Sequence, residues 1–114
     1  MYFRIDGKKY RVTAIGASAF KGNSKITALR TNSNLEVIEK YAFRGCPALK
    51  TVRFSDTVSE LGHYSFYNCT ALTTINFPNG CNLKLINDNA FTGCTALTEY
   101  VIPATVERIG FKIN

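Results

Sequence analysis

Residues 66–77 read Phe-Tyr-Asn-Cys-Thr-Ala-Leu-Thr-Thr-Ile-Asn-Phe, and 25 positions later residues 91–102 read Phe-Thr-Gly-Cys-Thr-Ala-Leu-Thr-Glu-Tyr-Val-Ile. The same rhythm runs through the chain. Phe20, Phe43, Phe66 and Phe91 are 23, 23 and 25 apart, and each follows a small residue, Ala19, Ala42, Ser65 or Ala90. Ile15, Ile38, Leu61, Ile86 and Ile109 step by 23, 23, 25 and 23. Ile26, Leu49, Leu72 and Leu97 form a third column, Leu29, Val52, Ile75 and Tyr100 a fourth, and Thr31, Phe54, Phe77 and Ile102 a fifth. Self-similarity at such a period marks stacked supersecondary units, each covering the apolar face of the next.

Within one unit the residue types ask for different backbones. Val52-x-Phe54 alternates, the period-2 signature of a short strand with one buried face. Pro78 and Pro103 directly follow that strand, where a missing N–H ends the pairing without loss. The stretch from Phe43 to Cys46 is too short for a stable helix and reads as a tight turn or 3₁₀ piece. Gly22, Gly45, Asn68 and Gly93 share one column, the pattern of a left-handed residue for which Asn is the usual substitute. Asn68 therefore has a conformational reason to precede Cys69-Thr70, apart from the glycosylation sequon it completes. One unit offers about six apolar side chains at ~1.5–3 kcal/mol each, against an ordering cost on the order of 1.5 kcal/mol per residue. No unit is stable alone. The 114 residues read as one domain: an N-terminal hairpin cap over 1–11 turning at Asp6-Gly7, with Phe3 and Tyr10 over the first rung; four repeats of 23–25 residues over 12–105; and a truncated fifth over 106–114, whose open edge invites self-association.

These columns resemble the BspA-like, or Treponema-type, leucine-rich repeats, whose pattern runs close to L-x-x-I-x-I-P-x-x-V-x-x-I-G-x-x-A-F-x-G-C. Here it stands as Leu72-Thr-Thr-Ile75-Asn-Phe77-Pro78 and Leu97-Thr-Glu-Tyr100-Val-Ile102-Pro103-Ala-Thr-Val106-Glu-Arg-Ile109-Gly110. The resemblance covers residues 12–110. It implies a mainly β, right-handed solenoid with a parallel sheet on its concave face and short turns or 3₁₀ pieces on its convex side. It also implies a recognition surface on an exported or cell-surface bacterial protein. Thr31 replaces an apolar residue, Glu39 and Asn87 stand where Gly is usual, and Pro78-Asn-Gly-Cys81-Asn82 carries two extra residues. The first rung is therefore expected to be looser, and the 78–82 loop to protrude.

Cys46, Cys69 and Cys94 occupy one repeat column that Asn23 fills in the first unit. Asn cannot bond sulfur, but both types are small and can hydrogen-bond a buried turn, so the column reads as a structural ladder. Rungs about 4.8 Å apart also sit wide of the ~3.8 Å Cβ separation of a disulfide. Cys81 falls outside the ladder, in the inserted loop, and is expected to be the exposed, oxidisable thiol. The cysteine gaps of 23, 12 and 13 and the lone His63 do not match a zinc site. His63 follows Leu61-Gly62 in a turn column of unrelated residues, without a nucleophile to activate. No catalytic residue, cofactor site or metal site is assigned.

What remains is surface. Residues 1–53 hold eleven Lys or Arg and three acids, and residues 54–114 hold three and five, so the halves carry +8 and −2. Strand alternation turns Ala28, Thr51, Thr74 and Glu99 outward in one column and Arg30, Arg53, Asn76 and Val101 in another, with Lys50 beside them. Arg30, Lys50, Thr51, Arg53, Thr74, Asn76, Glu99 and Val101 are the candidate partner-binding residues. They support a non-enzymatic module for protein–protein interaction or cell-surface adhesion. The alternatives are binding of a polyanion by the basic half, with a sulfated glycan favoured over nucleic acid, and a structural spacer or oligomer unit. No apolar run reaches the length of a membrane span, and the opening MYFRIDGKKY lacks the apolar stretch of a signal peptide. An extracellular or cell-surface location is implied by the resemblance alone.

Overall fold

The computed structural model describes the backbone of residues 2–5 and 7–114 and the side chains of 7, 8 and 12–114. β1 (Tyr2–Ile5) and β2 (Lys8–Arg11) form an antiparallel hairpin in which Phe3 lies opposite Tyr10. The hairpin is the one the sequence predicts. Its turn residue Asp6, and the side chains of Phe3 and Tyr10 assigned to covering the first rung, lie outside the described residues.

The repeat pattern predicts one parallel sheet, and the described residues form two. β4 (Ala28–Arg30), β6 (Thr51–Arg53) and β8 (Thr74–Asn76) form a three-stranded parallel sheet from the alternating segment of each unit. β3 (Ala14–Ile15), β5 (Val37–Ile38), β7 (Glu60–Leu61), β9 (Leu85–Ile86) and β10 (Arg108–Ile109) form a second, five-stranded parallel sheet. At two residues each, these strands are too short to display a period. Their register is nonetheless strict, with Ile15, Ile38, Leu61, Ile86 and Ile109 aligned rung upon rung. Close approach explains a glycine here: a Cβ on Gly62 would lie 2.6 Å from the backbone C of Glu39 and N of Lys40. The described residues contain no helix.

The turns between the two sheets are a third ladder. Tyr41, Phe43 and Gly45 donate their N–H groups to the carbonyls of His63, Ser65 and Tyr67 at 2.9, 2.8 and 2.7 Å, and Tyr64, Phe66 and Asn68 do the same to Asp88, Ala90 and Thr92. Alternate amides of the turn thus find their partners in the neighbouring rung, and those between them bond within their own turn, Ala42 to Glu39 O and Arg44 to Tyr41 O at 3.2 Å, so that the buried amides are paired. The geometry requires two left-handed columns. Gly22, Gly45, Asn68 and Gly93 form the one visible in the sequence, with φ of 72°, 69°, 57° and 83°. Ser18, Tyr41, Tyr64, Asn89 and Lys112 form another, with φ between 47° and 61°.

Inside the stack, Phe20, Phe43, Phe66 and Phe91 lie ring on ring, with centroids 5.2, 5.3 and 5.6 Å apart and planes within 12° of parallel. Such pairs add roughly 0.5–1.5 kcal/mol each beyond area burial. Phe54 stacks on Phe77 at 5.2 Å and meets Phe66 edge-on at 6.0 Å. Thr31, at the foot of that column, is buried and not loose: its Oγ1 accepts from the Ser55 N–H at 2.8 Å and lies 3.0 Å from Ser55 Oγ. The first rung is less covered elsewhere, with Phe20 39% exposed while Phe43 and Phe66 are nearly inaccessible.

Candidate functional site

Register decides which outward side chains meet. Leu29, Val52 and Ile75 turn inward from the three-stranded sheet, leaving two outward rows: Ala28, Thr51 and Thr74, and Arg30, Arg53 and Asn76. Lys50, just before β6, is exposed beside them. Arg30 and Arg53 are paired Cα to Cα on adjacent strands, roughly 4.8 Å apart, and both side chains are exposed. Among the described residues neither has a carboxylate within ion-pairing distance, and the ion pairs there are His63 Nδ1–Asp88 Oδ2 at 3.6 Å and Lys84 Nζ–Glu107 Oε2 at 3.7 Å. Like charges in register repel, so this row holds uncompensated positive potential.

Glu99 and Val101 do not join the rows, which corrects the sequence expectation. The sheet stops at β8, and among the described residues Thr98 to Ile102 make no backbone hydrogen bond. Two features of the sequence account for the break. The two extra residues in 78–82 lengthen the path into the fourth rung, and Tyr100, larger than Leu29, Val52 or Ile75, leans on Phe91 at 5.6 Å instead of nesting under β8. The result is an open cleft of about 490 Å³ between Ile75, Phe77 and Gly80 on one side and Val101 and Thr105 on the other. Val101 is 82% exposed at its rim.

Cys81 is a second correction. Asn79 and Gly80 form the exposed tip of the inserted loop, but the chain turns back at once. The Cys81 N–H bonds Pro78 O at 3.2 Å, Asn82 N–H bonds Asp56 O at 2.9 Å, and the thiol is buried 3.8 Å from Thr105 Oγ1. The other three cysteines form the predicted ladder. Cys46, Cys69 and Cys94 each donate S–H to the carbonyl of the Phe in the preceding rung, Phe20, Phe43 and Phe66, at 3.2, 3.1 and 3.1 Å. All four thiols are free. Burial, helped by neighbouring Cys69, pushes the Cys46 thiol up to about 11. Hydrogen bonding with Cys94, and then burial, also raises Cys69. Protonated, enclosed thiols of this kind are poor nucleophiles.

His63 is exposed, and with Glu39, Glu60 and Asn87 it lines a shallow groove of about 470 Å³ on the five-stranded sheet. Asn87 Nδ2 donates to Leu61 O at 3.0 Å and Glu60 Oε2 at 3.3 Å, which gives the residue replacing glycine a structural task. Among the described residues, no group of three or more His, Cys, Asp or Glu is placed to hold a metal ion, and no helix is long and apolar enough to cross a membrane. A surface that the sequence pattern misses lies on the turn ladder, where Tyr41, Arg44, Tyr64 and Tyr67 cluster across two rungs. Tyr41 and Tyr64 recur at the 23-residue period, but Arg44 and Tyr67 share a column with Lys21 and Thr92, so the periodicity marks only half of the cluster.

Known proteins share both the sequence pattern and the stack. The family described as BspA type leucine rich repeat region, in six copies, matches residues 9–113. The chain belongs to the BspA-type leucine-rich-repeat family. A leucine-rich-repeat protein of Treponema pallidum superposes with a TM-score of 0.68 at 30% identity, over 74% of this chain and 41% of that one. The pneumococcal vaccine antigen PcpA superposes at 0.66 over 96% of this chain and 35% of its own, and its 18% identity shows a shared fold alone. A leucine-rich cell surface protein of Faecalibacterium prausnitzii superposes at 0.57 with 25% identity, over 96% of this BspA-type chain and 41% of that protein. The chain thus spans less than half the length of each. No curated protein matches it. Repeats of this type serve as binding or structural modules, and the solenoid described above is their architecture.

Proposed function

We propose that the chain is a non-enzymatic recognition module of a cell-surface protein, binding a protein partner through the outward face of the three-stranded sheet. Arg30, Lys50, Thr51, Arg53, Thr74 and Asn76 make the contact, Val101 contributes from across the cleft, and Glu99 stands exposed beyond it. The observation that carries this reading is the in-register pair Arg30 and Arg53, exposed and without a carboxylate partner among the described residues. The description of the Faecalibacterium protein as a cell surface protein supports the location. Three strands of three residues present much less than the ~800 Å² per partner of a standard interface, so the contact must extend into the cleft or onto neighbouring repeats. The same arginine pair and the +8 half of the chain favour a sulfated glycan as the second reading.

Binding to immobilised extracellular-matrix proteins and to heparin, at low and high salt, tests both. The Arg30→Ser/Arg53→Ser variant keeps the fold, since neither side chain is in the core. Protein binding that changes modestly with salt and is lost in the variant supports the first reading. Heparin binding that falls steeply with salt through counterion release supports the second. Binding that the variant retains removes the sheet face from both.

A further inference from the structure

The turn ladder holds an anomaly that packing does not require. Tyr41 and Tyr64 adopt φ of 61° and 56°, a region that costs a bulky L residue on the order of 1–3 kcal/mol. Asn89 occupies the same column one rung further on, so a residue better suited to the backbone is accommodated there. Nor do the rings fill the interior. Tyr41, Tyr64 and Tyr67 are half-buried at the surface, the first pair 5.5 Å apart and the second 5.1 Å apart in edge-on contact. Arg44 lies over two of them, its Cζ 5.7 Å from the Tyr41 centroid and 5.2 Å from that of Tyr67.

Clamped in this way, the Arg44 guanidinium is held in place by cation–π contacts while its N–H groups stay free to donate. No carboxylate lies within ion-pairing distance of it among the described residues. Lys21 stands one rung away in the same column, and Lys40 precedes Tyr41; both are exposed and lack an acidic partner among the described residues. A planar guanidinium fixed before the ligand arrives is suited to a carboxylate, which it grips through two parallel hydrogen bonds. Tyrosine and arginine are also residue types that anchor protein interfaces, tyrosine because it brings large contact area at low cost in lost rotamers. A sugar ring would need an open aromatic face to stack on. Here Tyr41 packs against Tyr64 and Arg44 lies over Tyr41 and Tyr67, so these faces are already occupied.

We propose that Tyr41, Arg44, Tyr64 and Tyr67 form a preorganised docking patch for an acidic protein segment. Arg44 takes a carboxylate of that segment, Lys21 and Lys40 favour its charge, and the tyrosine edges pack against its apolar or aromatic side chains. The patch lies on different elements from the Arg30–Arg53 row and stands whether or not that row binds anything.

A random copolymer of glutamate and tyrosine serves as the probe, with polyglutamate and heparin as comparisons, read by affinity and by NMR shifts. The copolymer should move the Arg44 side-chain N–H signal and the amides of Tyr41, Tyr64 and Tyr67. Arg44→Lys, which keeps the charge but loses the two-pronged grip, should weaken it severalfold, and Arg44→Gln about tenfold or more, as loss of a charged hydrogen-bonding group does, while Arg108→Ser, at an exposed position of β10 outside both surfaces, leaves it unchanged. Tyr64→Gly, which relieves the backbone, should weaken binding and leave the melting temperature within a few degrees of the parent. Any of three results overturns the proposal: no copolymer binding by the parent, binding that survives Arg44→Gln, or, with the row silenced by Arg30→Ser/Arg53→Ser, heparin bound more tightly than the copolymer. A Tyr64→Gly variant that melts far lower with affinity intact overturns it too, because the cluster is then structural.

Discussion

Ser65 stands where the other repeats place alanine, and its hydroxyl is fully buried without a hydrogen-bond partner among the described residues. A buried polar atom left unpaired costs about 1–3 kcal/mol, and an apolar replacement of similar shape removes that cost. Ser65→Ala should therefore raise stability in urea unfolding by about 1 kcal/mol, where most buried substitutions lower it. Phe66→Ala lies at the other extreme. The ring touches Phe43, Phe91 and Phe54, so its loss should cost about 3–5 kcal/mol in the same assay. The thiol ladder adds a pH dependence. Cys46 titrates near 9.0 when unfolded and is pushed up to about 11 when folded, so the folded state holds its proton more tightly. The stability this contributes is complete below pH 9 and is lost as pH rises from about 9 to about 11. Unfolding midpoints across that window should fall in the parent and fall less steeply in Cys46→Ala.

At the scale of the element, the inserted loop sets how far the three-stranded sheet can run. Deleting Asn79 and Gly80 should return the third unit to the length of the first two and bring Glu99–Val101 close enough to pair with β8. Hydrogen exchange at Tyr100 and Val101 should then slow, whereas in the parent both amides exchange freely. The insertion itself was legible, because two residues too many are visible against a fixed period. Its consequence was not, because whether a strand pairs depends on a distance, and a period carries none. The inward columns were legible for the opposite reason: Phe43, Phe66 and Phe91 face one environment and answer it with one residue type. The second left-handed column is not legible because Ser18, Tyr41, Tyr64, Asn89 and Lys112 share a backbone conformation while their side chains, the two tyrosines aside, differ in chemistry. Burial of Cys81 is not legible because Asn79-Gly80 marks an exposed tip, while the chain folds back at the very next residue to bury the thiol against Thr105.

For the molecule as a whole, two sheets and the turn ladder between them clip each rung to its neighbours. Such a stack behaves as a one-dimensional array in which inner units are held from both sides and outer ones from one. The exposures of Phe20 at 39% and Ile109 at 52%, against zero for their equivalents Phe66 and Ile86, follow that rule. Turns in an ordinary globular domain exchange their amides quickly, and here they should not. Residue-resolved native-state hydrogen exchange tests this most directly. The amides of Tyr41, Phe43, Gly45, Tyr64, Phe66 and Asn68, which bond to the next rung through the turn, should be protected as strongly as Val52 in the sheet, while Thr98 to Ile102 stay unprotected. Turn amides that exchange as fast as those of Thr98 to Ile102 would contradict a rung-on-rung solenoid.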